Sequence, residues 1–325
     1  MTTLEHSPSA SASPSVLATW RPAEGPQPLI VRWMMTEWCN YSCPYCPQTH
    51  DRFARKGEHT AHAFDNFPLE RWVDAFDRHF KAHRLSLVIT GGEPLLDVRN
   101  VPRLLQHLIR QDYVACIRVD TNASWAPEKY AAVDKSKLIL MCTFHPSQIA
   151  EAEFLDKMDR VRAAGFRIGM VNYVMEQANV ALFRERRRIF LERGLLLHPN
   201  PLWGAGGRYA PEDVELLRAC LPDVDYAYRT GSASPLGKPC LFPTISYELR
   251  YTGVIKAGCM SETGDFFSPT LPTRPPAWTP CPHGGCACLD KYSFQHGVER
   301  NVSLNPLADY ARELAGKAAA NGELP

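Results

Sequence analysis

No apolar run in the 325-residue sequence approaches the roughly 20 residues that a membrane-spanning helix needs. The N-terminus lacks the charged-then-apolar pattern of a signal peptide. Both absences argue for a protein of the cytoplasm with no membrane partner. A charge excess is missing too: 36 basic residues face 35 acidic ones, a net charge of +1, so nothing announces a surface for nucleic acid or acidic lipid. Residues 1–28 hold little apolar material, being rich in Ser, Ala, Thr and Pro, and read as a flexible tail. So short a stretch is no separate peptide-recognition domain. Cysteine, by contrast, is plentiful. Eleven are present, several clustered beside Pro, Gly and aromatic residues, a pattern that favours reduced, metal-binding thiols over disulfides.

Three of them stand in Cys39-Asn40-Tyr41-Ser42-Cys43-Pro44-Tyr45-Cys46, directly after the apolar run Leu29–Met35. Three thiolates on one short loop suit an iron–sulfur cluster. A [4Fe–4S] cube has four irons, so three local thiolates leave one iron open to a small chelating molecule. Zinc is the plain alternative, with His50 near enough to serve as a fourth ligand. Zinc sites, however, usually pair two C-x2-C halves or C-x2-C with two histidines, and this triplet fits neither.

The spacing, with an aromatic residue just before the last cysteine, resembles the signature of the radical S-adenosylmethionine (radical SAM) superfamily. The resemblance implies that Cys39, Cys43 and Cys46 hold a [4Fe–4S] cluster, that SAM chelates its open iron, and that Tyr45 lies against the adenine. A second motif, Gly91-Gly92-Glu93-Pro94, follows the apolar run Leu85–Thr90. Paired glycines let backbone approach a ligand closely, and a carboxylate beside them can accept from an ammonium group. A tight turn carrying an exposed acid explains the four residues as well. In the family such a segment contacts the methionine amine of SAM, and here it stands where the family has it.

From residue 29 short apolar runs alternate with amphipathic ones. Strands are expected at 29–35, 85–90, 114–120, 137–144, 166–174 and 194–199, and helices at 69–80, 101–109, 152–164 and 179–193. Strands separated by helices argue for parallel β/α units. Periodicity does not separate an open sheet from a partial barrel; the resemblance implies a partial (β/α)6 barrel over residues 29–220. Barrels of this kind collect functional residues at the carboxyl ends of their strands. Asp120-Thr121-Asn122 closes the third strand, Thr143 and His145 the fourth, and His198 and Asn200 the sixth, with Asn172 in the fifth. The resemblance would put Thr121, Asn122 and Asn172 near the SAM ribose or carboxylate, and His145 near SAM or substrate. Taken singly, each is also an ordinary turn or capping residue.

Beyond residue 220 Gly and Pro become frequent and the alternation stops, so residues 221–325 are read as a second, small domain. Strand-like segments at 244–250 and 254–257 around Tyr251-Thr252-Gly253 form a hairpin signal, which would bring Cys240 towards Cys259. Cys281, Cys286 and Cys288 follow on one loop. The arrangement resembles the auxiliary-cluster (twitch or SPASM) extensions of radical SAM enzymes. Five cysteines rather than seven imply one further [4Fe–4S] cluster, four thiolates sufficing. A structural zinc, with His283 as a ligand, fits the spacing too. Cys116 and Cys142 fall in strands and read as buried small hydrophobes. Cys220, at a helix end, reads as buried packing or as a hydrogen-atom donor beside the substrate.

The chemistry the resemblance implies is one-electron cleavage of SAM to a 5′-deoxyadenosyl radical that takes hydrogen from a substrate carbon. A flavodoxin- or ferredoxin-type protein would supply the electron. With no obvious peptide-binding domain, the expected substrate is a small polar metabolite (a sugar, cyclitol or aminoglycoside-like molecule), undergoing oxidation or epimerisation. Aromatic and charged residues near 278–300 could touch it. A ribosomally made peptide is the alternative substrate. A non-enzymatic iron–sulfur or zinc protein, a redox sensor or scaffold, is the alternative of another class; it would have no use for Gly91–Pro94.

Overall fold

The structure, a computed structural model, describes residues 28–46, 62–202, 209–221, 226–227, 230–276 and 279–285. Six parallel strands run in chain order: β1 (Pro28–Thr36), β2 (Arg84–Gly91), β3 (Val114–Thr121), β4 (Leu138–Phe144), β5 (Ile168–Met175) and β6 (Leu197–Pro201). Between them lie α1 (Leu69–Phe80), α2 (Val101–Ile109), α3 (Glu151–Ala163) and α4 (Phe183–Glu192), with α5 (Pro211–Cys220) after β6. The crossover from β3 to β4 departs from the expected alternation: it holds only a 3-10 turn, Pro127–Tyr130. A proline starts that turn.

The pairing register sorts every strand into two faces, because cross-strand partners share a face and neighbours along a strand alternate. One face carries Val31, Leu87, Ile117 and Leu138 across β1 to β4, continued by Val171 and Leu197 on β5 and β6. These side chains are buried against Trp72, Phe76, Leu105, Phe154 and Phe190 of the helices in one apolar core. The opposite face is of another character. Across it run Arg32, Val88, Arg118 and Ile139, and, nearer the strand ends, Thr143, Asn172 and His198. A parallel sheet packed on both sides reads as unbroken apolar runs. Ile30 and Val88, on β1 and β2, are covered by Phe242 and Ile245, whereas the polar residues towards the ends of β3 to β6 mark that part of the inner face as built to meet something other than a helix.

The sheet does not end where the composition changes. Residues 246–265, assigned from sequence to a separate domain beginning at 221, form β8 (Ser246–Arg250), β9 (Val254–Ala257) and β10 (Thr263–Asp265), and β8 pairs in parallel with the outer edge of β1. The sheet order among the described residues is β10-β9-β8-β1-β2-β3-β4-β5-β6. Partner choice between strands so distant in sequence leaves no local trace, whereas the β8–β9 hairpin itself was readable from its turn. A small ribbon, β7 (Pro239–Cys240) with β11 (Thr279–Pro280), is hydrogen-bonded separately from the main sheet. No described helix is long and apolar enough to cross a membrane.

Candidate active site

The cysteine loop leaves the carboxyl end of β1 and is fastened to the end of β2 through backbone. Gly92 N–H donates to Thr36 O and Glu93 N–H to Trp38 O, each at 2.8 Å. Gly91 makes this approach possible. Its φ is +133°, and a Cβ there would lie 2.0 Å from the Thr36 carbonyl oxygen, so only glycine fits. The close neighbour that Gly91 serves is the chain's own β1.

Glu93 then turns inward. Its carboxylate is 1% exposed and accepts from three donors: Leu95 N–H at 3.1 Å, the Thr121 hydroxyl at 2.8 and 2.9 Å to its two oxygens, and Asn122 N–H at 2.5 Å. It caps the 3-10 turn Pro94–Leu96, a Ser/Asp-like N-cap role followed by proline at the first helical position. Of the two readings open in the sequence, a tight turn with an exposed acid does not hold, because the acid is buried. Burial raises the Glu93 pKa to about 7, against the lowering pull of these hydrogen bonds.

Asn122 carries the network back to the cysteines. Its side-chain oxygen accepts from Ser124 N–H at 2.9 Å, while Nδ2 reaches Cys39 Sγ at 3.4 Å and Asn40 Oδ1 at 3.2 Å. Tyr41 N–H also donates to Cys39 Sγ, at 3.4 Å. From the β4 end, His145 sits between the two loop tyrosines: Tyr45 stacks on it at 5.9 Å and Tyr41 meets it edge-on at 5.9 Å. His145 Nδ1 lies 2.8 Å from the Tyr45 hydroxyl and 3.4 Å from Cys43 Sγ. Burial lowers the His145 pKa to about 4, which keeps the ring neutral. Gln148 Oε1 accepts from Ser42 N–H at 3.1 Å.

The loop suits an iron–sulfur cluster on chemical grounds. Two N–H donors are aimed at the Cys39 sulfur, an arrangement a thiolate uses far better than a neutral thiol, which is a weak acceptor. Cys43 is close enough to Cys39 and Cys46 to feel both; burial, then those two neighbours, raise its thiol to about 12, against hydrogen bonds that lower it. Without metal the Cys43 thiol is therefore neutral, and ligation would displace its proton. Among the described residues no three His, Cys, Asp or Glu side chains converge on a point for one metal ion. A cubane offers a separate iron to each thiolate, so its ligands share a loop rather than a point.

Of the residues singled out in sequence, Cys39, Cys43, Tyr45, Glu93, Thr121, Asn122 and His145 are brought into one connected network. Gly91, Gly92 and Pro94 shape its backbone. Asn172 stands on the inner face between Thr143 and His198. Cys220 is not part of this set: it is 1% exposed in the helix-side core with Leu216, Leu217 and Leu221, where its helix turns an apolar edge to the sheet. Cys142 shares that core, whereas Cys116 lies on the inner face, its Sγ 3.2 Å from Ser86 Oγ.

Cys240 and Cys281 meet in a second small cluster with Ile30, Val88 and Phe242, held by the β7–β11 ribbon. Gly258, the residue before Cys259, lies against Pro243 and Phe242, and Phe242 shares the cluster of Cys240 and Cys281. The Cys259 carbonyl oxygen is 3.0 Å from His283 Nε2. Cys286, Cys288, His50, Trp278 and the 290s lie outside the described residues, as does the N-terminal tail but for Pro28.

Sequence reasoning missed Arg118, which the inner face buries against Asp120 through Nε to Oδ1 at 2.7 Å and Nη2 to Oδ2 at 3.2 Å. It missed the Arg32–Glu248 pair of β1 and β8 at 3.0 Å as well. A charged residue inside an otherwise apolar strand was the available signal.

Comparison with known proteins comes to the same region. The family model described as the Radical SAM superfamily matches residues 33–176, which run from β1 to the residue after β5 and contain the cysteine loop and the Gly91–Pro94 segment. Among solved structures, native anSMEcpe with bound AdoMet superposes with a TM-score of 0.52 at 13% identity, covering 73% of this chain and 77% of that one. That likeness shows the α/β fold. The complex of BtrN with AdoMet and 2-DOIA is similar at a TM-score of 0.34 and 12% identity, over 77% of this chain and 79% of that one, too weak a superposition to carry an argument. No curated protein matches the sequence.

Proposed function

We propose that this chain is a radical SAM enzyme acting on a C–H bond of a small polar metabolite, of the sugar, cyclitol or aminoglycoside-like class, in an oxidation or epimerisation. The observation that carries the proposal is the cysteine loop locked to Gly91–Pro94 and to the ends of β3 and β4, inside the region the family model matches. When bound, a [4Fe–4S] cluster and SAM supply one-electron cleavage of SAM and a 5′-deoxyadenosyl radical that takes hydrogen from the substrate.

The chain's own residues have three tasks. Cys39, Cys43 and Cys46 would hold the cluster. The backbone at Gly91 and Gly92, with Thr121, Asn122, His145, Asn172 and Tyr45, would line the place for SAM. Glu93 serves from beneath, fixing the turn that carries Thr121 and Asn122 rather than offering an open carboxylate to the amine. The inner face, with Arg118, Asp120, Thr143, Asn172 and His198, would orient the polar substrate and keep bulk water from the reacting carbon. Cys220, on the helix side, takes no part.

Cys240, Cys259 and Cys281, with Cys286 and Cys288, are proposed to hold a second [4Fe–4S] cluster; the burial of Cys240 and Cys281 in one small cluster supports this. A flavodoxin- or ferredoxin-type donor would deliver the electron in the cytoplasm. The test is anaerobic reconstitution followed by iron and sulfide analysis. About eight irons per chain are expected, falling to about four when Cys39, Cys43 and Cys46 are all replaced by Ser. Iron uptake unchanged by the triple replacement would overturn the assignment of the loop.

A further inference from the structure

The contact between Asn122 and the Cys39 sulfur points to a role beyond lining a cofactor pocket. We infer that Asn122 is a positioning residue that sets the reduction potential of the cluster by donating an N–H to Cys39; the inference rests on the cluster reading of the loop. Three observations carry it. First, the amide's orientation is fixed by its partners: with Oδ1 taken by Ser124 N–H at 2.9 Å, it is Nδ2 that faces Cys39 Sγ at 3.4 Å and Asn40 Oδ1 at 3.2 Å. An amide flipped end for end would turn oxygen towards sulfur and NH2 towards an N–H, losing both bonds.

Second, the turn that presents Asn122 is held in a conformation the chain would otherwise avoid. Ala123, the next residue, has φ +59°, the left-handed region that an alanine seldom occupies, and such strain persists where surrounding contacts over-determine it. Two contacts do so here: Ala123 N–H donates to Thr121 Oγ1 at 3.0 Å, and Asn122 N–H is clamped by the buried Glu93 carboxylate. Third, the Ser124 hydroxyl donates to Asn40 Oδ1 at 2.9 Å. The strand-end turn and the cysteine loop are thereby tied at a second point beside the sulfur.

An N–H dipole pointed at a ligating sulfur stabilises the extra negative charge of the reduced cluster, and hydrogen bonds to the sulfurs are one of the levers that set such potentials. Removing the donor therefore makes the cluster harder to reduce. Replacing it by a carboxylate makes it harder still.

The experiment is an EPR-monitored redox titration of the anaerobically reconstituted protein, its Asn122→Ala and Asn122→Asp variants, and Ser124→Ala as a control that removes a tie to Asn40 without touching sulfur. Iron content is measured alongside. The midpoint is expected to move to more negative potential in the order unaltered chain, Asn122→Ala, Asn122→Asp, with iron retained, and Ser124→Ala, which keeps the backbone N–H that orients the Asn122 amide, is expected to shift less than either. Asn122→Asp keeps the oxygen that accepts from Ser124, so it holds the turn where Asn122→Ala loosens it. Full iron with an unshifted midpoint in both variants would overturn the inference and leave the enzyme reading intact. An unaltered chain that takes up no iron would overturn the cluster reading, and this inference with it.

Discussion

Glu93 is an acid placed where burial disfavours ionisation, enclosed by protein and, among the described residues, reached by three donors. Its folded pKa, raised by burial to about 7, lies above the ordinary 4.5. The folded state therefore holds this proton to higher pH than the unfolded chain does. The stability Glu93 contributes is fully present below about pH 4.5 and is lost as pH rises through about 7. A glutamine at this position does not ionise and lacks that dependence. The Glu93→Gln variant is expected to gain on the unaltered protein between pH 5 and pH 8, read as the difference between their melting temperatures at each pH. A difference that stays constant over that window would show that Glu93 does not titrate there. What was legible at this scale is local: the cysteine spacing, the Gly-Gly-Glu-Pro segment, and Asn122 and His145 at strand ends. The direction in which Glu93 points was not, because an exposed turn acid and a buried capping acid share one sequence.

At the scale of elements, the β8–β10 segment shows where local pattern stops informing. Its hairpin was announced by alternation and a glycine turn, yet its attachment to β1 depends on residues far apart in the chain. Aromatic packing seals that attachment. Phe266, just past β10, is fully buried, stacked on Phe80, tilted on Trp72 and edge-on to Phe76 of α1. His79 Nε2 lies 2.9 Å from its carbonyl oxygen. Phe266→Ala leaves a void among these rings, and large-to-small aromatic changes in cores cost about 3–5 kcal/mol. A fall in denaturation free energy of that size is expected by urea titration. A change under about 0.5 kcal/mol, the scale of surface substitutions, would mean that α1 and the β8–β10 segment are not packed as described.

For the molecule as a whole, the two faces of one parallel sheet divide the labour. The helix-side face supplies the core, and the inner face offers charge pairs and amides to whatever enters beside the strand ends. The loop that would bind metal and the segment that would bind SAM are joined by backbone hydrogen bonds at Thr36 and Trp38. The central claim is that the iron left without a thiolate by Cys39, Cys43 and Cys46 is where SAM binds. The most direct measurement is the EPR spectrum of the reconstituted, dithionite-reduced protein with and without SAM, set beside Cys43→Ala. A reduced-cluster signal that changes shape on adding SAM, with no such change in Cys43→Ala, is the predicted result. A spectrum indifferent to saturating SAM in the unaltered protein would contradict the account.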